Sequence, residues 1–247
     1  MKMLVCVSKT PETTTKIKLN GDGSDLDYAG VNYIMNPYDE WYALVRALEL
    51  KETLGSGSVT LLNVGPADND AVIRKGLAIG ADDAIRVNAT DGGSLFIAKQ
   101  IAAQAKEGGY DIVFFGKETI DYNGSEVGAM VAELLDVAYV GEASGLEMNG
   151  NTATVTRDIE GGVEVVEVNT PFAVSAAKGM AEQRIPNMRG IMMAKRKPLT
   201  VVDPVAADAT TKVSSYELPP EKGAVKMIDP ENMDELVRLL HEEAKVI

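Results

Sequence analysis

The chain has almost no cysteine, one histidine and a shortage of positive charge. Its only cysteine, Cys6, sits in the apolar run Met3-Leu4-Val5-Cys6-Val7 with no second thiol to pair with, which excludes disulfides and fits a reducing compartment. Lys and Arg number 24 against 37 Asp and Glu, a formal charge of -13. Such a surface repels nucleic acid and anionic membranes, so any phosphate has to be held locally. No uninterrupted run of about 18 apolar residues occurs, and the N-terminus enters a strand-like run without the charged, apolar and small-residue order of a signal segment. The expectation is a soluble, cytoplasmic protein with no nucleic-acid partner and no direct membrane insertion. A mature organelle-matrix protein would read the same way.

Signatures of chemistry are also scarce. His241 lies in a terminal helical pattern without a cysteine, serine or carboxylate that can be argued into place beside it, so it reads as a solvated or partly packed side chain rather than a general base. No metal-ligand spacing is present. Neither GxGxxG nor GxxxxGK[ST] occurs, which removes the fingerprints of the dinucleotide Rossmann and P-loop readings. No low-complexity tract or fixed-period repeat is found. The expectation is no catalytic residue and no metal.

What is present is the pattern of an ordinary globular protein, with 247 residues, 45% hydrophobic and 25% charged. Residues 3–7 read as a strand and the polar stretch at residues 10–15 as a loop. A helix starts after Asn36, which can cap it, and Pro37, which fits its first position. Trp41, Leu44, Val45 and Leu48 mark its apolar face, and Gly55 and Gly57 end it. Strands at 59–64, 84–87 and 112–115 alternate with helices at 71–79, 96–105 and 127–135, which predicts a parallel sheet covered by helices on both faces. Residues 152–156 and 163–168 flank Gly161-Gly162 and predict a β-hairpin. After Pro198 the chain reads as irregular until Glu231, where an amphipathic helix with Met233, Leu236, Leu239 and Leu240 begins. The predicted organisation is a Rossmann-like α/β domain over residues 1–198 and a C-terminal arm over 199–247.

Three stretches are candidates for function. Gly116-Lys117-Glu118-Thr119-Ile120-Asp121-Tyr122-Asn123-Gly124-Ser125-Glu126-Val127 follows a buried strand and opens a helix, so its backbone N–H groups could meet a phosphate. It reads equally as an ordinary strand-to-helix loop. Asn36-Pro37-Tyr38-Asp39 is a helix start in its plain reading, or a loop closing over an adenine or flavin ring with Tyr38 as its flat face. Residues 184–197 are basic and methionine-rich. Either Met188, Met192 and Met193 fill the core with Lys195, Arg196 and Lys197 solvated, or the segment is a docking surface.

Taken in order, these residues resemble one family, the electron-transfer flavoprotein β subunits. The resemblance rests on Lys9, Asn36-Pro37, Gly76-Leu77-Ala78-Ile79-Gly80-Ala81-Asp82, Gly116-Lys117 with Ile120-Asp121, Arg157-Asp158-Ile159-Glu160-Gly161-Gly162 and Ile191-Met192-Met193-Ala194-Lys195-Arg196-Lys197-Pro198. It implies a heterodimer with an α subunit that carries most of an FAD site, and an arm that packs on that partner. It also implies AMP held by Cys6, Asn36, Pro37, Tyr38, Asp39, Val64 and residues 116–127, Gly116, Lys117, Asp121, Tyr122, Asn123, Gly124, Ser125, Glu126 and Val127 among them. Thr13 and Tyr38 would lie near the FAD. Arg184, Met188, Ile191 and Met192 would dock flavin dehydrogenases such as acyl-CoA dehydrogenases, with Met188 as the apolar anchor. The Pro11-Glu12-Thr13-Thr14 loop also resembles electron-bifurcating members, which hold a second FAD in place of AMP. Readings of another class are a stand-alone adenine-nucleotide-binding sensor and, ranked last, a nucleotide-dependent enzyme such as an adenylyl transferase.

Overall fold

The computed structural model describes residues 1–90 and 92–247. In chain order the elements are β1 (Lys2–Cys6), β2 (Lys9–Pro11), β3 (Tyr33–Met35), α1 (Asp39–Leu54), β4 (Ser58–Val64), α2 (Asp70–Ile79), β5 (Asp83–Val87), α3 (Ser94–Gly108), β6 (Ile112–Gly116) and α4 (Val127–Leu135). They continue with β7 (Ala138–Asn149), β8 (Thr152–Ile159), β9 (Gly162–Asn169), β10 (Phe172–Ala176), α5 (Met188–Ala194), β11 (Leu199–Val202) and α6 (Met233–Arg238). The chain divides into two units, residues 1–17 with 28–214, and residues 18–27 with 215–247.

The larger unit is built on a nine-stranded sheet in the order β11-β5-β4-β1-β6-β10-β7-β8-β9. Pairing is parallel from β11 through β7 and antiparallel in the β7-β8-β9 meander. Side chains alternate across a strand, so an apolar run feeds two cores at once. Met3 and Val5 pack with Leu44, Leu48, Ile73 and Leu77 of α1 and α2. Leu4 and Cys6 pack with Ala98, Ile101, Val131 and Ala132 of α3 and α4. This two-sided burial is why β1, β4 and β6 read as continuous apolar runs.

The helices are set by ordinary chemistry. Asp39 and Glu40 open α1 and Lys51 lies in its last turn, matching the helix dipole, and Gly55 ends it with φ 65°. Gly76 brings α2 against the sheet, since a Cβ there would lie 2.6 Å from Leu61 Cδ1. Buried Gln100 fastens the chain beyond β11 onto α3, donating to Val205 O at 3.0 Å and accepting from Val205 N at 2.7 Å.

Several local expectations are corrected. Asn36 does not cap α1 and Pro37 is not its first residue: the helix starts at Asp39 after Tyr38, with no side-chain cap. The stretch read as a loop from Thr10 includes β2, paired antiparallel with β3. The chain after Pro198 is not irregular at once, because β11 adds a parallel strand beside β5. Strands β7 and β10 and helix α5 lie where no element was expected.

In the smaller unit, Leu19 bridges Leu26 and Tyr216 N donates to Gly23 O at 3.1 Å. Helix α6 begins two residues after the expected Glu231, and Asn232 caps it by accepting from Glu235 N at 3.2 Å. Val225 and Met227 of the preceding segment are exposed.

Lys197, solvated in the core-filling reading of its segment, closes the carboxyl end of α2. Its Nζ donates to Leu77 O at 2.9 Å, to Gly80 O at 3.2 Å and to Ala81 O. Leu77 O and Gly80 O are carbonyls that a helix end leaves unpaired. Burial pushes the Lys197 pKa below the ordinary lysine value, yet the ring of carbonyls favours the ammonium form. Replacing Lys197 by Met is expected to lower the unfolding free energy by about 1–3 kcal/mol, read as a lower thermal midpoint. An unchanged midpoint would remove Lys197 as the cap.

Candidate functional site

The order of the sheet creates one crevice. From β1 the chain moves to β4 and then β5 on one side, and α3 then carries it across to β6 on the other side of β1. Strands whose crossovers leave in opposite directions part at their carboxyl ends, and open α/β sheets bind ligands there. Here the crevice lies beyond Cys6 and Gly116.

Its entrance is knitted by Asn36, which is completely buried. Asn36 N donates to Ser8 O at 2.9 Å, its Nδ2 donates to Glu118 O at 3.0 Å, and its Oδ1 accepts from Ile120 N at 3.0 Å. One residue thus ties three segments, its backbone N–H holding the exit of β1 and its carboxamide joining the approach to α1 to the loop after β6. Pro37 is buried behind it, while Tyr38 is 53% exposed. Tyr38 has φ 62° and ψ -98°, a sparsely populated conformation costing on the order of 1–3 kcal/mol. The fold holds this strain while leaving the phenol half in solvent.

Glu40 forms the floor, a residue that sequence reasoning missed. It is buried, and its Oε2 accepts from Ser8 N at 2.6 Å. Burial pushes its carboxyl up to about 8, outweighing the Ser8 bond, which acts in the opposite sense. Asp39 is pushed up to about 6, again by burial first, with Lys117 pulling it down. The start of α1 is therefore less negative at neutral pH than its sequence implies. Gly116 is required here because a Cβ would lie 2.8 Å from Glu40 N and 3.1 Å from Asp39 Cβ.

The loop at residues 117–126 runs from β6 to α4. Asp121, Tyr122, Asn123, Gly124, Ser125 and Glu126 are all exposed, and Val127 is half-buried. Asn123 (φ 50°) and Ser125 (φ 54°) adopt left-handed conformations without being glycine. No side chain caps α4. A helix start of this kind offers N–H groups and the positive end of the dipole to an anion.

Beside it is a cavity of about 230 Å³ lined by Lys117, Ser125, Tyr139, Glu142, Arg157 and Ser175. Four of these were not singled out as individual sites, because β7, β8 and β10 bring them there only through sheet pairing. Among the described residues no group of three His, Cys, Asp or Glu could hold a metal ion, and none of their helices is long and apolar enough to cross a membrane.

The remaining expected residues are placed as follows. Cys6 and its thiol lie in the α3/α4 core, where burial pushes the pKa up. Val64 is half-buried at the end of β4. Thr13 is exposed, its hydroxyl donating to Glu12 Oε1 at 3.0 Å. His241 is exposed.

The segment at 184–197 does not fill the core. Met188 is 74% and Met192 68% exposed, with Ile191 and Met193 also outward. Asn187 caps α5 by accepting from Gly190 N at 2.8 Å. Arg184 grips Glu52 through two bonds of 2.7 and 3.0 Å, and its carbonyl accepts from Trp41 Nε1 at 3.1 Å. Arg74 holds Ala194 O and Lys197 O at 2.7 and 2.6 Å. Gly190 allows the close seat, since a Cβ there would lie 2.4 Å from Ala78 O. The methionines are thus displayed on a pinned backbone, an arrangement suited to contact with another molecule.

Comparison with known proteins agrees with this architecture. Residues 25–207 match the family described as Electron transfer flavoprotein domain. The chain is 35% identical to the electron transfer flavoprotein subunit beta of Bacillus subtilis, with all of both chains covered. It is 37% identical to the protein of that name from Syntrophomonas wolfei, covering 94% of this chain and 91% of the relative. It is 32% identical to the acryloyl-CoA reductase electron transfer subunit gamma of Anaerotignum propionicum, covering 96% and 97%. With a family match over most of its length and full-length relatives above 30% identity, the chain belongs to the electron transfer flavoprotein β-subunit family.

Proposed function

We propose that the chain is the β half of a heterodimeric electron carrier. It completes the enclosure of an FAD held mainly by an α subunit, holds AMP as a structural ligand in its own crevice, and docks flavin dehydrogenases, acyl-CoA dehydrogenases among them, through α5. The observation that carries this reading is the convergence at one sheet edge of a switch-point crevice, a strained Tyr38 and an uncapped helix start. Names of relatives that specify electron transfer support it.

The residues present fit an adenine nucleotide. Gly116 admits close packing at the crevice floor, and Asn36 holds the two loops that border it. Backbone N–H groups at residues 124–127 would receive the phosphate, and protonated Glu40 would keep the floor from repelling it. Tyr38 and Thr13 would face the shared flavin. Bound FAD supplies the redox chemistry, and the chain contributes position, exclusion of water and local charge. No residue of this chain is assigned a bond-making role. Residues 1–198 would form the nucleotide-binding domain and residues 199–247 an arm on the α subunit, in the cytoplasm.

Co-expression with the α partner, purification and denaturation should release one FAD and one AMP per heterodimer. Two FAD without AMP would replace this reading with the bifurcating one, and no flavin with no partner would overturn it. Met188→Ala is expected to slow electron transfer from a cognate dehydrogenase by about tenfold at unchanged FAD content, and unaltered rates from every donor would withdraw the docking role. Because Glu40 is raised from 4.5 to about 8, its contribution to stability is full below 4.5 and is lost as pH rises to 8. Glu40→Gln should flatten that slope in pH-dependent melts, and an unchanged slope would show that another group sets it.

A further inference from the structure

The chain that leads into α5 is fastened by side chains rather than by secondary structure. Residues 181–187 form neither helix nor strand, so their path is set by what holds them. The holding point is Arg184, and both of its anchors come from α1. Its carbonyl accepts from Trp41 Nε1 at 3.1 Å, and its guanidinium donates to both carboxylate oxygens of Glu52 at 2.7 and 3.0 Å. Trp41 lies in the first turn of α1 and Glu52 in the last, so Arg184 is stretched along one rigid helix.

Trp41 is the only tryptophan of the chain and is 7% exposed. Its indole N–H can only donate, and a buried donor without an acceptor costs free energy. Lys75 of α2 fixes the ring further, its Nζ 4.7 Å from the ring centroid. Trp41 also belongs to the core that joins α1 and α2 to the sheet. The donor that meets Arg184 is therefore itself held in place. The two-bond contact with Glu52 adds direction as well as charge. Because both side chains are about a third or more exposed, the ion pair carries little stability by itself.

What this clamp holds faces solvent. Ile185, the next residue, is 82% exposed, and Met188, at the start of α5, is 74% exposed. Their positions are inherited from Arg184 on one side and from the contacts of Arg74 and Lys197 on the other. A segment that is fixed before docking does not have to be ordered by its partner, and the difference appears as affinity.

We infer that Trp41 and Glu52 are positioning residues for docking, acting through Arg184 to present α5 and the residues before it in one conformation. The inference rests on the reading of α5 as the docking site. It gives Trp41 and Glu52 a part in partner affinity and none in electron transfer once the partner is bound.

The test is steady-state reduction of the purified heterodimer by a cognate dehydrogenase, with the heterodimer as the varied substrate. Trp41→Phe keeps an aromatic ring beside Lys75 and removes the N–H. Glu52→Gln removes the charge that grips Arg184 and leaves Arg184 in place. Each is expected to raise KM for the heterodimer by about fivefold, the size of one lost hydrogen bond, with kcat and FAD content unchanged. Glu52→Asp, which keeps the carboxylate, should fall between Glu52→Gln and the native chain. Amide exchange over residues 181–187 of the free heterodimer should be faster in Trp41→Phe and Glu52→Gln, before any partner is present. Unchanged KM in both variants, or raised KM with unchanged exchange, would overturn the inference. Met188→Ala in the same assay separates the two readings. A raised KM for Met188→Ala beside unchanged values for the clamp variants refutes the clamp alone, whereas an unchanged KM for Met188→Ala refutes the docking site and the positioning role with it.

Discussion

The carboxamide of Asn36 is the contact on which the rest of the site depends. Three segments that part at the sheet's switch point meet on this one buried side chain and its own N–H: the exit of β1 at Ser8, the approach to α1, and the loop after β6 at Glu118 and Ile120. A buried amide left without its partners costs roughly 1–3 kcal/mol per unpaired group, so the three segments are held together or lost together. Once they are fixed, Gly116 meets the start of α1, Glu40 is sealed beneath Ser8, and Tyr38 is forced into its strained turn.

Charge is managed locally. The chain is strongly acidic, yet the edge at the switch-point crevice carries less negative charge than its sequence implies. Burial lifts Glu40 to about 8 and Asp39 to about 6, α4 opens with no side chain on its first N–H groups, and Lys117 and Arg157 face one cavity. At the same time Arg74, Arg184 and Lys197 are used to pin the segment that exposes Met188 and Met192.

Much of the fold was legible in the residues. Strands β1, β4 and β6 are continuous apolar runs because both faces are buried, and α1, α2 and α4 carry helical spacing with clear stops at Gly55 and Gly80. Asn36 was visible as important but misread as a helix cap. Its chemistry suits a cap, whereas its real partners lie 82 and 84 residues further on. Arg157 could be seen as part of a hairpin, but its approach to Lys117 depends on pairing across β6, β10, β7 and β8 and on the bulge at Glu142. The methionines of α5 have the same spacing whether buried or displayed. Gly190, Arg74 and Lys197, which decide the matter, act through contacts with α2 that no local pattern encodes.

The central claim is that the 36–40 turn and the 117–127 loop form one nucleotide-binding unit held by Asn36. Amide hydrogen exchange of the heterodimer with and without added AMP tests it directly. The account predicts that both segments gain protection together, and that Asn36→Ala abolishes the gain in both. Protection confined to one of them, or appearing elsewhere with both unchanged, would contradict it.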